Sequence, residues 1–281
     1  MRVVGANGAA AGAVATRRGL GIHLVHELRE LVRYRELVRH LVRAALAKES
    51  TGTVFGALWW LIDPLVLVGV YVFFVDVILQ SGGEDFALFV LVGALIWKHL
   101  SSATIASMTT TLAREQTMRQ VAFPRAVLPL AAVLAETMHL ALGLLVYVLA
   151  AIVFGVLVTP TFLLVVPLVA IEVALVLGLS FALAALNILY RDVQNLTSYA
   201  LRIGFFLSPA LYAIEQIPER VRPVYLLNPF ATLIPAFRDV MLYHRPPDWE
   251  AVAVVAVGSL VTLVVGFVVF VRLERSFAKV S

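Results

Sequence analysis

Six apolar runs, at approximately residues 57–80, 87–113, 126–157, 161–189, 198–214 and 250–271, constrain this chain more than any other feature. Crossing ~30 Å of hydrocarbon at ~1.5 Å per residue takes about 20 helical residues, and each run meets or approaches that length. Lipid offers no partner to a backbone N–H or C=O, so a spanning segment must be a helix or part of a closed barrel. The strict alternation of barrel strands is absent here. With 61% of its residues hydrophobic and 14% charged, against roughly 25% charged in soluble domains, the chain reads as an all-α polytopic membrane protein with six transmembrane helices.

Charge orients those helices. Seventeen of the 22 Lys and Arg residues fall in 1–56, 114–125, 191–202 and 272–279, segments that six crossings put on one side. The positive-inside rule makes that side the cytoplasm, with both termini inside. The net charge of +4 follows from this topology and does not call for a nucleic-acid partner. The absence of cysteine excludes disulfide and thiolate chemistry. Residues 1–21 are rich in Ala and Gly, with Arg17-Arg18 after rather than before the small residues, the reverse of a signal peptide; a flexible tail is expected.

Residues 22–56 read as an amphipathic region. Leu24, Val25, Leu28, Leu31 and Val32 form one apolar stripe; Leu37, Val38, Leu41, Val42 and Ala45 form a second, rotated by about 100° from the first, so a break is expected near Tyr34. Arg29, Arg33, Arg35 and Arg39 supply the basic face. Such a helix lies in the membrane interface or packs on a soluble partner. Between the second and third runs comes a charged elbow, residues 114–129, with helix-compatible residues from Arg114 to Phe123. Pro124 stops it, because its ring removes a donor and clashes with the preceding turn. The elbow reads either as a cytoplasmic handle or as an ordinary basic loop.

Polar and aromatic residues inside the runs are the candidate site. Trp59 and Trp60 suit interfacial anchoring. Tyr71, Phe73 and Phe74 make the first span's outer half aromatic, for packing or for stacking on sugar faces. Trp97-Lys98-His99 lies mid-span; Lys98 must face an aqueous path or an acid, the available ones being Asp63, Asp76, Glu136 and Glu172. The fifth run carries Phe205-Phe206. Residues 215–249 hold six prolines among apolar and charged residues, too interrupted to span and too apolar for a solvated loop. Two short re-entrant helices, around 216–227 and 229–243, are expected there. No Gly-x-x-x-x-Gly-Lys-Ser/Thr loop is present, so any ATP would have to be hydrolysed on another chain.

Four motifs occur in order: Arg119-Gln-Val-Ala-Phe-Pro-Arg-Ala-Val-Leu-Pro-Leu130; Asn187 followed by Arg191-Asp-Val-Gln194; Leu207-Ser-Pro-Ala-Leu-Tyr212 with Ile217-Pro-Glu-Arg220 and Leu227-Asn-Pro229; and Arg272-Leu-Glu-Arg-Ser-Phe277. Together they resemble, over about residues 30–281, the ABC type-2 permeases that export bacterial cell-surface polysaccharides such as O-antigen, capsule and teichoic acid. Ala122, Ala126 and Lys98 depart from that family's usual residues. The resemblance implies a homodimer in the bacterial plasma membrane with two cytoplasmic ABC ATPase subunits, which bind ATP and Mg; this chain itself holds no cofactor or metal. It implies a lipid-linked polysaccharide substrate and a permease domain over 57–281. Residues 114–124 would be a coupling helix, with Arg114, Glu115, Met118, Arg119, Phe123, Pro124 and Arg125 meeting the ATPase. Trp59, Trp60, Tyr71, Phe74, Trp97, Lys98, Phe205 and Phe206 would line the channel. The segment 216–243 would be a gate, with Tyr212, Tyr225, Asn228, Pro229 and Phe230.

Two other classes compete. A membrane-embedded transferase would gather carboxylates or histidines at one interface, whereas these acids are scattered along different spans. A proton-driven secondary transporter using Glu136, Glu172 and Lys98 would show inverted repeats, and residues 57–157 and 161–271 are not self-similar.

Overall fold

The computed structural model describes residues 27, 29–50, 56–73, 85–113, 123–157 and 159–277. The expected tail, most of the coupling segment and Phe74 lie outside the described residues, as do the side chains of Trp60 and Asp63.

All regular structure among the described residues is helical. Helix α1 spans Arg35–Ser50, and a 3₁₀ turn at Gly56–Leu58 leads into α2, Trp59–Val72. Then come α3 (Phe86–Ala113), α4 (Val127–Val153), α5 (Val165–Leu189) and α6 (Asp192–Phe206). The chain closes with α7 (Arg222–Tyr225), α8 (Phe230–Met241) and α9 (Trp249–Phe277). Among the described residues four helices are long and apolar enough to cross a membrane: α3, α4, α5 with its leading 3₁₀ turn, and α9.

Two expected spans differ from that pattern. The described part of the first is the 14-residue α2, about 21 Å long at ~1.5 Å per residue. The fifth is the 15-residue α6, which begins at Asp192 and ends at Phe206 instead of covering 198–214. Asp192 in the first turn complements the positive helix terminus, and Pro209 pushes Ser208 out of the helical region.

The core is built on α3 and α5. Val90, Ile96, Ala103 and Met108 of α3 and Leu168, Val176 and Ala184 of α5 are fully buried. α5 meets α9 backbone to backbone: a Cβ on Gly266 would fall well inside van der Waals contact of the Gly178 carbonyl oxygen. Small residues allow such an approach where lipid removes the hydrophobic drive for helices to associate. Phe181 then stacks edge-on against Phe267 (5.3 Å) and Phe270 (5.7 Å).

The amphipathic region is interrupted where its two stripes change over. Residues 29–33 are helical, Tyr34 is a turn and α1 starts at Arg35, so the break expected near Tyr34 is present, although the Tyr34 N–H still donates to Glu30 O (2.8 Å) and the Val38 N–H to Tyr34 O (3.0 Å). The second stripe prevails, because Leu31, Tyr34, Leu37, Leu41 and Val42 surround Val38 against Val127 and Ala131 of α4, while Val32 is left exposed. The apolar face is thus covered by α4 of the same chain, and Arg29, Arg33, Arg35 and Arg39 are all exposed.

The first expected re-entrant helix is also corrected. Residues 216–227 form no continuous helix; a 3₁₀ turn at Ile214–Gln216 is followed by turns and the single-turn α7. Pro218 and Pro223 deny the amide donors a longer helix would need, and Pro223 fits only the start of α7. The second is α8, with Pro235 inside it. Its end is anchored by the buried Tyr147 hydroxyl donating to Met241 O (2.9 Å) and by Thr161 Oγ1 donating to Val240 O (3.2 Å).

Candidate functional site

A cavity of about 680 Å³ lies between α3 and α6. Two helical stripes line it: Ala94, Trp97, Lys98, Ser101 and Ile105 from α3, and Ser198, Leu201, Arg202, Phe205 and Phe206 from α6. Each stripe steps by three and four residues, the spacing that puts side chains on one helix face. Of the residues expected in a channel, Trp97, Lys98, Phe205 and Phe206 meet here. Tyr71 is one ring away, its centroid 6.3 Å from that of Phe205. Trp59 is exposed at the start of α2 and does not line the cavity. Arg202 and the small or hydroxylated partners Ala94, Ser101 and Ser198 were missed as lining, although the same periodicity would have found them.

The Trp97 ring is fixed from several sides. Its Nε1–H donates to Leu201 O (3.1 Å). Its six-membered ring sits where a side chain on Gly204 would be, 2.9 Å from an added Cβ. Phe205 tilts against it at 6.2 Å and Phe230 meets it edge-on at 5.3 Å. The described lining therefore pairs broad aromatic faces with two cations and no carboxylate, a surface suited to hydroxylated rings and anionic groups.

Behind Lys98 is a space of about 10 Å³, bordered by Leu95, Lys98, His99, Glu136, His139 and Leu140. His139 Nδ1 is 3.6 Å from Glu136 Oε2. Deeper still, His99 Nδ1 is 2.9 Å from Glu172 Oε1, with both side chains fully buried. His99 Nε2 is 3.2 Å from Thr137 Oγ1, whose own proton is donated to Val133 O (2.8 Å). Thr137 must therefore accept from Nε2–H, so the contact between Nδ1 and Glu172 needs one further proton: the pair holds it in common and is neutral overall. This commits Glu172, one of the four acids available to Lys98, to His99 instead.

Above the cavity, the five expected gate residues belong to one bonded cluster. The Tyr212 hydroxyl is 3.0 Å from both Phe206 O and the Tyr225 hydroxyl. Asn228 Nδ2 donates to Ser208 Oγ (2.7 Å), and its Oδ1 accepts from the Phe230 N–H (3.0 Å), an Asx turn across Pro229 just before α8. Phe230 links the cluster to Trp97. Ser208 and the buried Arg238 were not singled out from sequence.

On the opposite side, Phe123, Pro124 and Arg125 are half-buried. Arg125 Nε lies 3.6 Å from Glu274 Oε1 and its Nη1 donates to Glu274 O (3.3 Å), joining the start of α4 to α9. Arg114, Glu115, Met118 and Arg119 lie outside the described residues. In the second motif, Asn187 is buried with Nδ2 3.4 Å from Met108 O and 3.5 Å from Gln194 Oε1. Among the described residues no group of three or more side chains could hold a metal ion.

Comparison with known proteins finds relatives over most of the chain. The chain is 30% identical over 258 residues, 91% of its length and 99% of the relative's, to the O-antigen export system permease protein RfbA of Myxococcus xanthus. It is 27% identical over 229 residues, 81% of its length and 88% of the relative's, to the protein of that name from Klebsiella pneumoniae. Residues 29–242 match the family described as ABC-2 type transporter, and the chain belongs to that family.

Proposed function

We propose that this chain is the permease subunit of an ATP-driven exporter that moves a lipid-linked cell-surface polysaccharide, O-antigen or a similar polymer, across the bacterial plasma membrane. In this reading α2 and α6 complete six crossings, both termini face the cytoplasm, two copies assemble with two ABC ATPase subunits, and residues 114–124 dock on the ATPase.

The cavity carries the proposal. Lys98 lies 12 residues from one end of α3 and 15 from the other, and the exposed Arg202 is 10 residues into α6, about 15 Å along its axis. A cation at mid-bilayer costs about 2.5–3.5 kcal/mol on the mildest scale if it faces lipid. With Arg202 exposed at this depth, the α3/α6 face fits a wet surface, and a second copy facing it would enclose a path for a sugar chain. Trp97, Phe205 and Phe206 would offer stacking faces without fixed hydrogen-bond partners, which lets a polymer slide. The relatives' names support the substrate class.

The test is reconstitution of the purified permease with its partner ATPase in vesicles loaded with a lipid-linked glycan. ATP-dependent appearance of glycan on the far side, lost without the ATPase, is expected. Export that follows a proton gradient and ignores ATP would reject the proposal.

A further inference from the structure

Arg238 is a cation buried in the outer part of the protein with no carboxylate within ion-pair distance among the described residues; it is 2% exposed. Its partners are backbone carbonyls. Nη1 donates to Pro209 O (2.6 Å) and at longer range to Tyr212 O (3.4 Å), Nη2 to Ala210 O (2.6 Å) and Nε to Phe89 O (3.1 Å). The guanidinium carbon also lies over the Phe89 ring, 3.3 Å from its centroid. Gly93, one turn along α3, completes the seat, because a Cβ there would collide with the Ala210 carbonyl. One planar side chain of α8 thus clamps the 209–212 turn onto α3. Several converging carbonyls would repel one another without it, and the planar fork of an arginine fits them as a lysine's single ammonium cannot.

We infer that Arg238 is the positioning residue of the outer closure: it holds the 209–212 turn and α8 to the bundle as one fixed frame, so that only residues 214–227 move when the conduit opens. This rests on the conduit reading above. The frame is tied down at its other end by Tyr147 and Thr161, as described. By contrast, most of 214–227 is exposed, including Glu215, Glu219, Val224 and Leu227. It meets the frame through the paired hydroxyls of Tyr225 and Tyr212, a contact that breaks without burying or exposing a charge. Arg238 would thereby keep the Tyr212 half of that latch at a constant place above Trp97.

Hydrogen exchange on the permease–ATPase complex tests this, with and without trapped nucleotide, in wild type, Arg238→Lys and Arg238→Gln. In wild type, nucleotide should raise exchange at least tenfold in peptides from 214–227 and leave 208–212 and 230–241 unchanged. Arg238→Gln should raise exchange of 208–212 at least tenfold without nucleotide, Arg238→Lys less, while α4 and α5 stay protected; uniform loosening of α4 and α5 as well would mark a merely structural role and overturn the inference. A nucleotide response at 214–227 shared by 208–212 overturns the frame alone. No response at 214–227 overturns the moving segment together with the conduit reading. Should Arg238→Gln fail to assemble, the wild-type comparison still decides.

Discussion

Replacing Gly266 by alanine adds one methyl group at the closest glycine contact among the described residues. That methyl would lie inside van der Waals contact of the Gly178 carbonyl oxygen and 3.1 Å from the Gly178 Cα. Neither Cβ nor backbone can rotate away, so α5 and α9 must part. Overpacking of a close-fitted core costs about 1–3 kcal/mol. Separation also loosens the two edge-on stacks of Phe181, each contributing about 0.5–1.5 kcal/mol beyond burial. A loss of about 3 kcal/mol is expected, roughly a hundredfold in the folding equilibrium. Gly258 on the same helix is the control: an added Cβ there meets nothing within 4 Å, so Gly258→Ala should be neutral or stabilise by up to about 1 kcal/mol through helix propensity. Unfolding of the purified protein in mixed micelles of increasing SDS fraction, followed by circular dichroism, measures both. An unfolding midpoint for Gly266→Ala equal to or above that of Gly258→Ala would refute the close crossing.

His99→Leu should destabilise the protein by about 3–5 kcal/mol, because it strands the fully buried Glu172 carboxyl. The double variant with Glu172→Leu should recover most of that loss in the same unfolding assay; a double variant no better than the single would refute the pairing. For Arg125 and Glu274, with side chains 21% and 19% exposed, a double-mutant cycle with alanine should give a coupling of about 0.5–1 kcal/mol. That coupling should shrink in high salt; zero coupling at low salt would remove the clasp. Tyr147→Phe should cost about 1 kcal/mol by leaving Met241 O without its donor, and unchanged stability would show that the carbonyl is satisfied otherwise.

The spans α3, α4, α5 and α9 were legible because crossing a bilayer imposes a length on an apolar run that composition alone reveals. Trp97, Lys98, Phe205 and Phe206 could be named as a group because aromatic and charged residues at mid-span have few other uses. Facts of register stayed hidden. His99 and Glu172 are 73 positions apart, and nothing local marks either as the other's partner. Gly178 and Gly266 look like any glycines in apolar helices until two axes are superposed. Arg238 went unnoticed, since its charge is balanced by carbonyl dipoles, which leave no trace in side-chain identity. The break at Tyr34 was legible in the change from one apolar stripe to the next, whereas 216–227 was misjudged because its prolines break what its apolar residues would otherwise have coiled.

The two buried sides of α5 become complete at different moments of synthesis. Its polar side, with Glu172, needs His99 of α3 and, through His99, Thr137 of α4, both already made when α5 leaves the ribosome. Its glycine side waits for α9, the last of the described helices, but that side is apolar and acyl chains can cover it meanwhile at little cost. Glu172 is thus not left facing lipid while the remaining helices are made, and the contact that joins α5 to α9 is the one that can be delayed.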